Sequence, residues 1–174
     1  MRSKLTSERF IWATQVLNIQ PGDRILEIGC GAGLFAEQMI KKLGSGNITA
    51  VDRSASMINL SSKKNAAAVA AGRAKFVHFD FMQSDFKKNR FDKIVAFNVN
   101  FFWKDSKDEL QVIRHIMKPA GQLFVFYQAP TWLREEAADP IKKNLQENFF
   151  ELTGSVFEQM RPTPVFCIKA RPKK

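Results

Sequence analysis

The chain has 174 residues, a length typical of one domain, and 45% of them are apolar, which is enough to build a core. Its 27 Lys and Arg residues outnumber its 17 Asp and Glu residues and leave a formal charge of +10 at pH 7. It lacks a membrane-span-length apolar run and a signal-peptide block, and its two cysteines form neither a disulfide framework nor a metal-ligand spacing. We therefore expect a single cytoplasmic domain over residues 1–174, without a metal site or a membrane segment.

The predicted elements alternate between helical stretches and strand-length apolar runs, which is typical of an α/β fold with a parallel sheet. In chain order they are a helix over about Thr6–Leu17, a strand over Arg24–Ile28, a helix over Leu34–Leu43, a strand over Ile48–Val51, a helix from Ser54 or Ser56 to Ala71, strands over Lys75–Phe79 and Phe91–Phe97, a helix from Ser106 to Met117, a strand over Gln122–Tyr127 and a helix over Trp132–Asn148. Ser106 and Glu109 match a capping box, so we expect their side chains to begin that helix.

The last part of the chain departs from this alternation. Phe149–Glu158 and Pro164–Ala170 are two strand-like runs with no helix between them. A parallel crossover needs a dozen or more connecting residues, so these two strands must pair antiparallel. The sheet is therefore expected to be parallel with an antiparallel end.

Candidate ligand-binding residues stand where the predicted strands end, because ligands of an open parallel sheet bind beyond its carboxyl ends. The first strand runs into a loop with glycines at positions 29, 31 and 33, which allow a sharp turn and the close approach of a ligand. The second strand ends at Asp52, whose carboxylate can accept hydrogen bonds from both hydroxyls of a ribose. The third ends at Asp80 and Phe81, a carboxylate and a ring that suit an adenine. A dinucleotide fingerprint is not matched, because Leu34 stands where its third glycine would be.

Four segments together resemble the class I S-adenosylmethionine-dependent methyltransferases, and in particular their small type-11-like domains. The segments are residues 24–33 (RILEIGCGAG), 51–58 (VDRSASMI), 91–95 (FDKIV) and 117–121 (MKPAG). The resemblance extends over about Gln20–Tyr127, and the antiparallel tail agrees with it. One departure is Ala120, which stands where the family usually has Gly and should only alter a turn.

The resemblance implies a doubly wound, Rossmann-like α/β fold with a mostly parallel seven-stranded sheet and an antiparallel C-terminal strand. It divides the chain into an N-terminal helix (1–20), a cofactor-binding core (21–128) and a C-terminal helix with antiparallel strands (129–174). The implied cofactor is S-adenosylmethionine, which leaves S-adenosylhomocysteine as the product.

The resemblance also assigns roles to particular residues. Those implied to bind the cofactor are Glu27, Gly29, Cys30 and Gly31 around its methionine portion, Asp52 at the ribose, Arg53 and Met57 beside the adenine, Asp80 and Phe81 at its edge and face, and Asn98 near the transferring methyl group. Some of these residues have a structural alternative: Met57 as a core residue and Asp80 as a helix cap. Gly33 likewise could serve only close helix packing.

No catalytic base is identified. His115 belongs to a helix that should lie away from the carboxyl ends of the strands, and His78 either points toward the ligand or fills a gap. Tyr127 closes the fifth strand and could border an acceptor. Residues 98–103 (NVNFFW) lack the prolines typical of enzymes that methylate the exocyclic amines of bases, so Phe101–Trp103 either line an apolar acceptor pocket or belong to the core.

The methyl acceptor therefore stays open at this point. A small-molecule acceptor is favoured, since the sequence lacks motifs for nucleobase methylation. The positive charge leaves RNA or a protein as an alternative, and the paired lysines are scattered at positions 41–42, 63–64, 87–88, 142–143 and 173–174 rather than forming one basic run. A cofactor-binding module without transfer activity is a third alternative. We expect a monomer or a homodimer with a rather open pocket that the first helix, the substrate or a second subunit closes.

Overall fold

The protein is described by a computed structural model that covers residues 2–78, 81, 86, 91–128 and 135–173, with the backbone alone for residues 2–7 and 135. The helices are α1 (Arg2–Leu17), α2 (Leu34–Ile40), α3 (Ala55–Lys64), α4 (Ala66–Ala70), α5 (Lys107–Ile116) and α6 (Asp139–Glu147), and short 3₁₀ helices cover Asn100–Trp103 and Glu135–Ala138. The strands are β1 (Arg24–Ile28), β2 (Asn47–Asp52), β3 (Ala74–His78), β4 (Phe91–Phe97), β5 (Met117–Gln128), β6 (Phe150–Glu158) and β7 (Val165–Pro172).

The seven strands form one sheet in the order β3-β2-β1-β4-β5-β7-β6. β1 to β5 are mutually parallel, while β7 pairs antiparallel with both β5 and β6. The doubly wound α/β fold with an antiparallel end, predicted from the sequence, is thus confirmed. The strand order reverses between β1 and β4, and in an open α/β sheet this is the position at which ligands bind.

An apolar core covers each face of the sheet, and neighbouring residues of a central strand point into different cores. Ile25 of β1 and Phe124 of β5 pack with α1 and α2, where Phe10 and Phe35 stack with their ring centroids 5.3 Å apart. Leu26 faces the other core, which α5 and α6 cover. This double burial explains why the strands read as continuous apolar runs rather than as an alternating pattern.

Two predicted helix features are wrong in detail. The single helix expected up to Ala71 is divided at Asn65, whose side-chain amide donates to the carbonyls of Gly33 and Ser61. The capping box at Ser106 is not formed, because the buried Ser106 hydroxyl instead accepts a hydrogen bond from Asn144, 38 residues further along the chain. At Ser106 a tertiary contact thus stands in place of the local cap, whereas at Asn65 a tertiary bond to Gly33 is added to the local bond to Ser61.

Helix α1 covers the face of the sheet beside β4 and β5. Phe10, Ala13 and Leu17 are buried there, and the ring of Phe10 contacts that of Phe97 at the end of β4 with a centroid distance of 5.1 Å. The helix therefore lies close to the carboxyl ends of the strands. Within the described part of the chain, no helix has both the length and the apolar character that crossing a membrane requires.

Candidate cofactor-binding site

The loop after β1 contains three glycines in the left-handed region of backbone conformation, with φ of 73° at Gly29, 50° at Gly31 and 73° at Gly33. Their surroundings differ. A Cβ at Gly29 would lie 2.8 Å from the side chain of Val99, and one at Gly33 would lie 2.7 Å from that of Ser61. A Cβ at Gly31 would meet no atom within 4 Å. Gly29 and Gly33 thus allow close packing, whereas Gly31 borders open space that a ligand can enter.

Asp52 joins this loop to the next one. Its Oδ2 accepts a hydrogen bond of 2.8 Å from the backbone N–H of Gly31, and its Oδ1 accepts one of 2.9 Å from that of Ser54. The two residues meet because β1 and β2 are parallel and end side by side, with Ile28 opposite Val51. Each carboxylate oxygen retains a further lone pair, so Asp52 can still accept two hydrogen bonds from a diol.

Glu27 is a buried acid one step before the end of β1, with only 2% of its surface exposed. Its Oε2 has no hydrogen-bond partner among the described residues. Burial and, secondarily, the negative charge of Asp52 raise the pKa of Glu27 well above its usual range, against the opposing effect of a backbone hydrogen bond from Ala36. Because a buried acceptor without a partner is costly, this oxygen indicates a ligand that donates a hydrogen bond.

Cys30 lies inside the loop with its side chain buried. Its backbone N–H donates to the carbonyl of Val51, and its thiol is buried. Burial raises the pKa of this thiol, and the neighbouring carboxylates of Glu27 and Asp52 raise it further. The neutral thiol is therefore not a nucleophile under ordinary conditions.

The residues predicted to surround an adenine are only partly described. Arg53 is exposed, and Met57 is 39% exposed, so the alternative of Met57 as a core residue is wrong. Phe81 is buried and its ring stacks with that of Phe101 at a centroid distance of 6.3 Å. Asp80 lies outside the described residues. His78, at the end of β3, has its Nε2 within 3.2 Å of the carbonyl oxygen of Arg53.

Asn98 follows β4 with a φ of 57°, a conformation that Asn tolerates better than most residues. Its side-chain oxygen accepts from the backbone N–H of Gln128 at 2.7 Å, and its Nδ2 donates to the carbonyl of Gln128 at 3.1 Å. The amide of Asn98 thus joins the ends of β4 and β5. Gln128 is not part of any of the sequence motifs, although a polar residue that directly follows an apolar run is a signal for such a position.

The aromatic segment after β4 packs in and against the core that lies between the sheet and α5 and α6. Phe102 is fully buried, whereas Trp103 and Tyr127 are partly exposed and contact each other with ring centroids 4.7 Å apart. The Nε1 of Trp103 is buried and has no hydrogen-bond partner among the described residues. Trp103 and Tyr127 therefore form a partly exposed aromatic pair that packs against this core.

The described groups fit a nucleoside that carries an amino-acid chain. Asp52 offers acceptors for ribose hydroxyls, Gly31 borders the space that such a ligand needs, and the unpartnered oxygen of Glu27 can accept from an ammonium group. None of these features depends on a metal ion. The site thus meets the requirements of the cofactor that the sequence motifs imply.

Comparisons with known proteins indicate the family to which the chain is related. The family described as "Methyltransferase domain" matches residues 25–121. The cycloartenol-C-24-methyltransferase of Arabidopsis thaliana is 30% identical over 124 residues, which cover 71% of this chain and 35% of that protein. An uncharacterized methyltransferase of Bacillus subtilis, YdaC, is 26% identical over 169 residues, covering 92% of this chain and 89% of that protein. The chain thus spans about a third of the length of the plant relative.

Solved structures share the fold. The cyclase SpnF superimposes with a TM-score of 0.77 at 16% identity, covering 96% of this chain and 81% of that one. A SAM-dependent methyltransferase from Aquifex aeolicus superimposes with a TM-score of 0.73 at 17% identity, covering 90% of this chain and 87% of that one. At such low identity these likenesses establish the architecture and not the reaction.

Proposed function

Because the chain belongs to the methyltransferase domain family, and within it to the class I enzymes that depend on S-adenosylmethionine, we propose that it transfers a methyl group from this cofactor to a small-molecule acceptor. The observation that carries the proposal is the bond between Gly31 and Asp52, beside open space at the carboxyl ends of β1 and β2 and next to the point where the strand order reverses. That position and those groups are what a nucleoside cofactor requires.

Each group near the loop would have a distinct part in holding the cofactor. Asp52 would accept from the ribose hydroxyls, and Glu27 would accept from the amino group of the methionine portion. Gly31 would lie under the ligand without a side chain in the way. On the adenine side we keep Arg53, Met57, Asp80 and Phe81 as the proposed contacts. When bound, S-adenosylmethionine supplies a methyl group on a positively charged sulfur, which an acceptor atom displaces in line.

The chain's own contribution to transfer would be positioning rather than proton removal. The donor is already activated, and holding two reactants in line can supply most of the acceleration. Of the two histidines, His115 lies one residue before the last residue of α5 and thus near the amino end of β5, away from the site. His78 lies at the carboxyl end of β3, with its ring nitrogen next to the Arg53 carbonyl. Neither is assigned a role as a base.

Two observations support a small acceptor. Trp103 and Tyr127 offer partly exposed aromatic surface close to the ends of β4 and β5, which suits an apolar ring system. The plant relative is named for a sterol acceptor, which is also a largely apolar small molecule. The net charge of +10 left RNA as an alternative, but it does not by itself identify the acceptor. Six described basic side chains form ion pairs rather than one free basic patch: Lys41, Lys93, Lys118, Lys142, Lys143 and Arg171.

Calorimetry with S-adenosylhomocysteine tests cofactor binding. The Asp52→Ala variant should bind about 5- to 150-fold more weakly, which corresponds to the ~1–3 kcal/mol of a lost hydrogen-bonded group. Asp139→Ala is the matched control, because Asp139 is an exposed carboxylate paired with Lys142 on α6. Binding of a nicotinamide nucleotide and none of S-adenosylhomocysteine would contradict the proposal.

A transfer assay with a labelled methyl group tests the acceptor. We expect label to enter the small-molecule fraction of a cell extract. Labelling of RNA instead, with a steep dependence on salt concentration, would favour an RNA acceptor. Cofactor binding with no transfer to metabolites, RNA or protein would favour a binding module without transfer activity.

A further inference from the structure

Arg9 of α1 brings a cation to the carboxyl ends of β4 and β5. Its Nη1 donates a 2.9 Å hydrogen bond to the side-chain oxygen of Gln128, the last residue of β5. Its guanidinium carbon lies 4.6 Å from the ring centroid of Phe10 and 5.1 Å from that of Phe97 at the end of β4. The guanidinium is therefore held in one place by an amide and two rings.

Most of the hydrogen-bonding capacity of Arg9 is unused. A guanidinium has five N–H groups, and the bond to Gln128 uses one of them. Among the described residues Arg9 forms no ion pair, and its Nε is buried without a partner. Burial lowers the pKa of Arg9, which reflects the cost of removing this charge from water. A partly buried cation without an anion is a costly arrangement unless a ligand provides the anion.

A chain of contacts connects Arg9 to the glycine loop. Gln128, its hydrogen-bond partner, exchanges two hydrogen bonds with Asn98. Val99, the next residue, packs so closely on Gly29 that a Cβ at that glycine would lie 2.8 Å from it. Arg9 thus lies on the rim of the same site, on the β4 side of the point where the strand order reverses.

We propose that Arg9 binds a carboxylate of the molecule that occupies this site. The inference rests on the proposed function, which puts a cofactor with an amino-acid end and an acceptor at the carboxyl ends of β1 and β4. An Arg fork matches the two oxygens of a carboxylate. The carboxylate belongs either to the methionine portion of the cofactor or to the acceptor. In both cases Arg9 is a binding residue contributed by the N-terminal helix.

Binding measurements with two nucleosides test the cofactor as the source. S-adenosylhomocysteine carries the amino-acid end, and 5′-methylthioadenosine lacks it. We expect Arg9→Gln to weaken binding of the first about tenfold or more and to leave the second within about twofold, because a charge-assisted bond is lost only with the first. Arg9→Lys keeps the charge without the fork and should have an intermediate effect. Lys41→Gln removes a charge from the exposed pair with Glu37 at the end of α2 and should not change the affinity for either nucleoside.

A second arm tests the acceptor as the source. Benzoate and its neutral analogue benzamide are titrated into protein saturated with S-adenosylhomocysteine. If the acceptor supplies the carboxylate, the unmutated protein should prefer benzoate and Arg9→Gln should lose this preference. Should Arg9→Gln fail to fold in a thermal unfolding control, the same comparisons are made with Arg9→Lys.

The outcomes separate the inference from the proposed function. If the unmutated protein binds neither nucleoside, the proposed function fails. If it binds both, the Arg9 variants weaken both equally and the preference for benzoate is unchanged, Arg9 only anchors α1 to Gln128 and the inference is overturned. The inference is also overturned if the Arg9 variants change neither the preference for S-adenosylhomocysteine over 5′-methylthioadenosine nor the preference for benzoate over benzamide. Loss of selectivity in the first arm identifies the cofactor as the source, and loss in the second arm alone identifies the acceptor.

Discussion

Two glycines of the loop should respond differently to the same substitution. Gly33→Ala would place a methyl group 2.7 Å from the Cβ of Ser61 and 2.8 Å from the Nδ2 of Asn65, closer than real contacts allow. The left-handed conformation, with a φ of 73°, costs a residue with a side chain ~1–2 kcal/mol. Overpacking in a tight core adds ~1–3 kcal/mol. We therefore expect Gly33→Ala to lower the free energy of unfolding by about 2–5 kcal/mol.

Gly31→Ala should lower the free energy of unfolding less than Gly33→Ala does and should weaken ligand binding more. Its φ of 50° carries the same conformational cost of ~1–2 kcal/mol, but the new methyl group meets no atom within 4 Å. Gly72 provides the matched control, because it has a φ of 69°, equally open surroundings and a position in the exposed turn between α4 and β3. Gly31→Ala and Gly72→Ala should thus lose similar stability. Only Gly31→Ala places a methyl group in the proposed binding space, so it alone should weaken S-adenosylhomocysteine binding, by about tenfold or more.

On the same preparations, urea unfolding measures the free energy of unfolding, and calorimetry measures the affinity for S-adenosylhomocysteine. The stability loss of Gly33→Ala corresponds to a fall in midpoint temperature of about 4–20 °C for a domain of this size. The interpretation of the loop would be refuted if Gly31→Ala bound S-adenosylhomocysteine as tightly as Gly72→Ala does. It would also be refuted if Gly33→Ala were no less stable than Gly31→Ala.

Two further predictions concern the buried titratable groups of the loop. The pKa of Glu27 is raised in the folded state. At pH values between the ordinary pKa and this raised pKa, Glu27 therefore keeps its proton in the folded protein and has lost it in the unfolded protein. The free energy of unfolding should fall as pH rises through that interval. Glu27→Gln should remove this decline when chemical unfolding is compared at pH 5 and pH 8, and an unchanged decline would contradict the assignment. Cys30 and Cys167 are both buried with raised thiol pKa values, so iodoacetamide at neutral pH should label them in urea and not in native buffer, as mass spectrometry can show. Rapid native labelling of Cys30 would show that the loop opens.

Much of the fold follows from local patterns. The predicted bounds of β1 and β4 are confirmed, because strands buried on both faces are mostly apolar and the few polar residues within them do not interrupt the pattern. The antiparallel end also follows from the sequence, since no crossover helix separates its two strands. The helix break at Asn65 could not be predicted in this way. It depends on the carbonyl of Gly33, 32 residues away, which the amide of Asn65 reaches only in the folded protein.

The candidate site shows the same division. The sequence by itself determined that a glycine loop and Asp52 end neighbouring strands, because parallel strands bring their carboxyl ends to one edge of the sheet. Only the tertiary structure decided that Gly31 faces open space while Gly33 faces α3, and that the amide of Asn98 is bonded to Gln128. It also brought Arg9 to a residue 119 positions later in the chain. The physical reason is that such contacts depend on how helices pack across the faces of the sheet, which local periodicity does not specify.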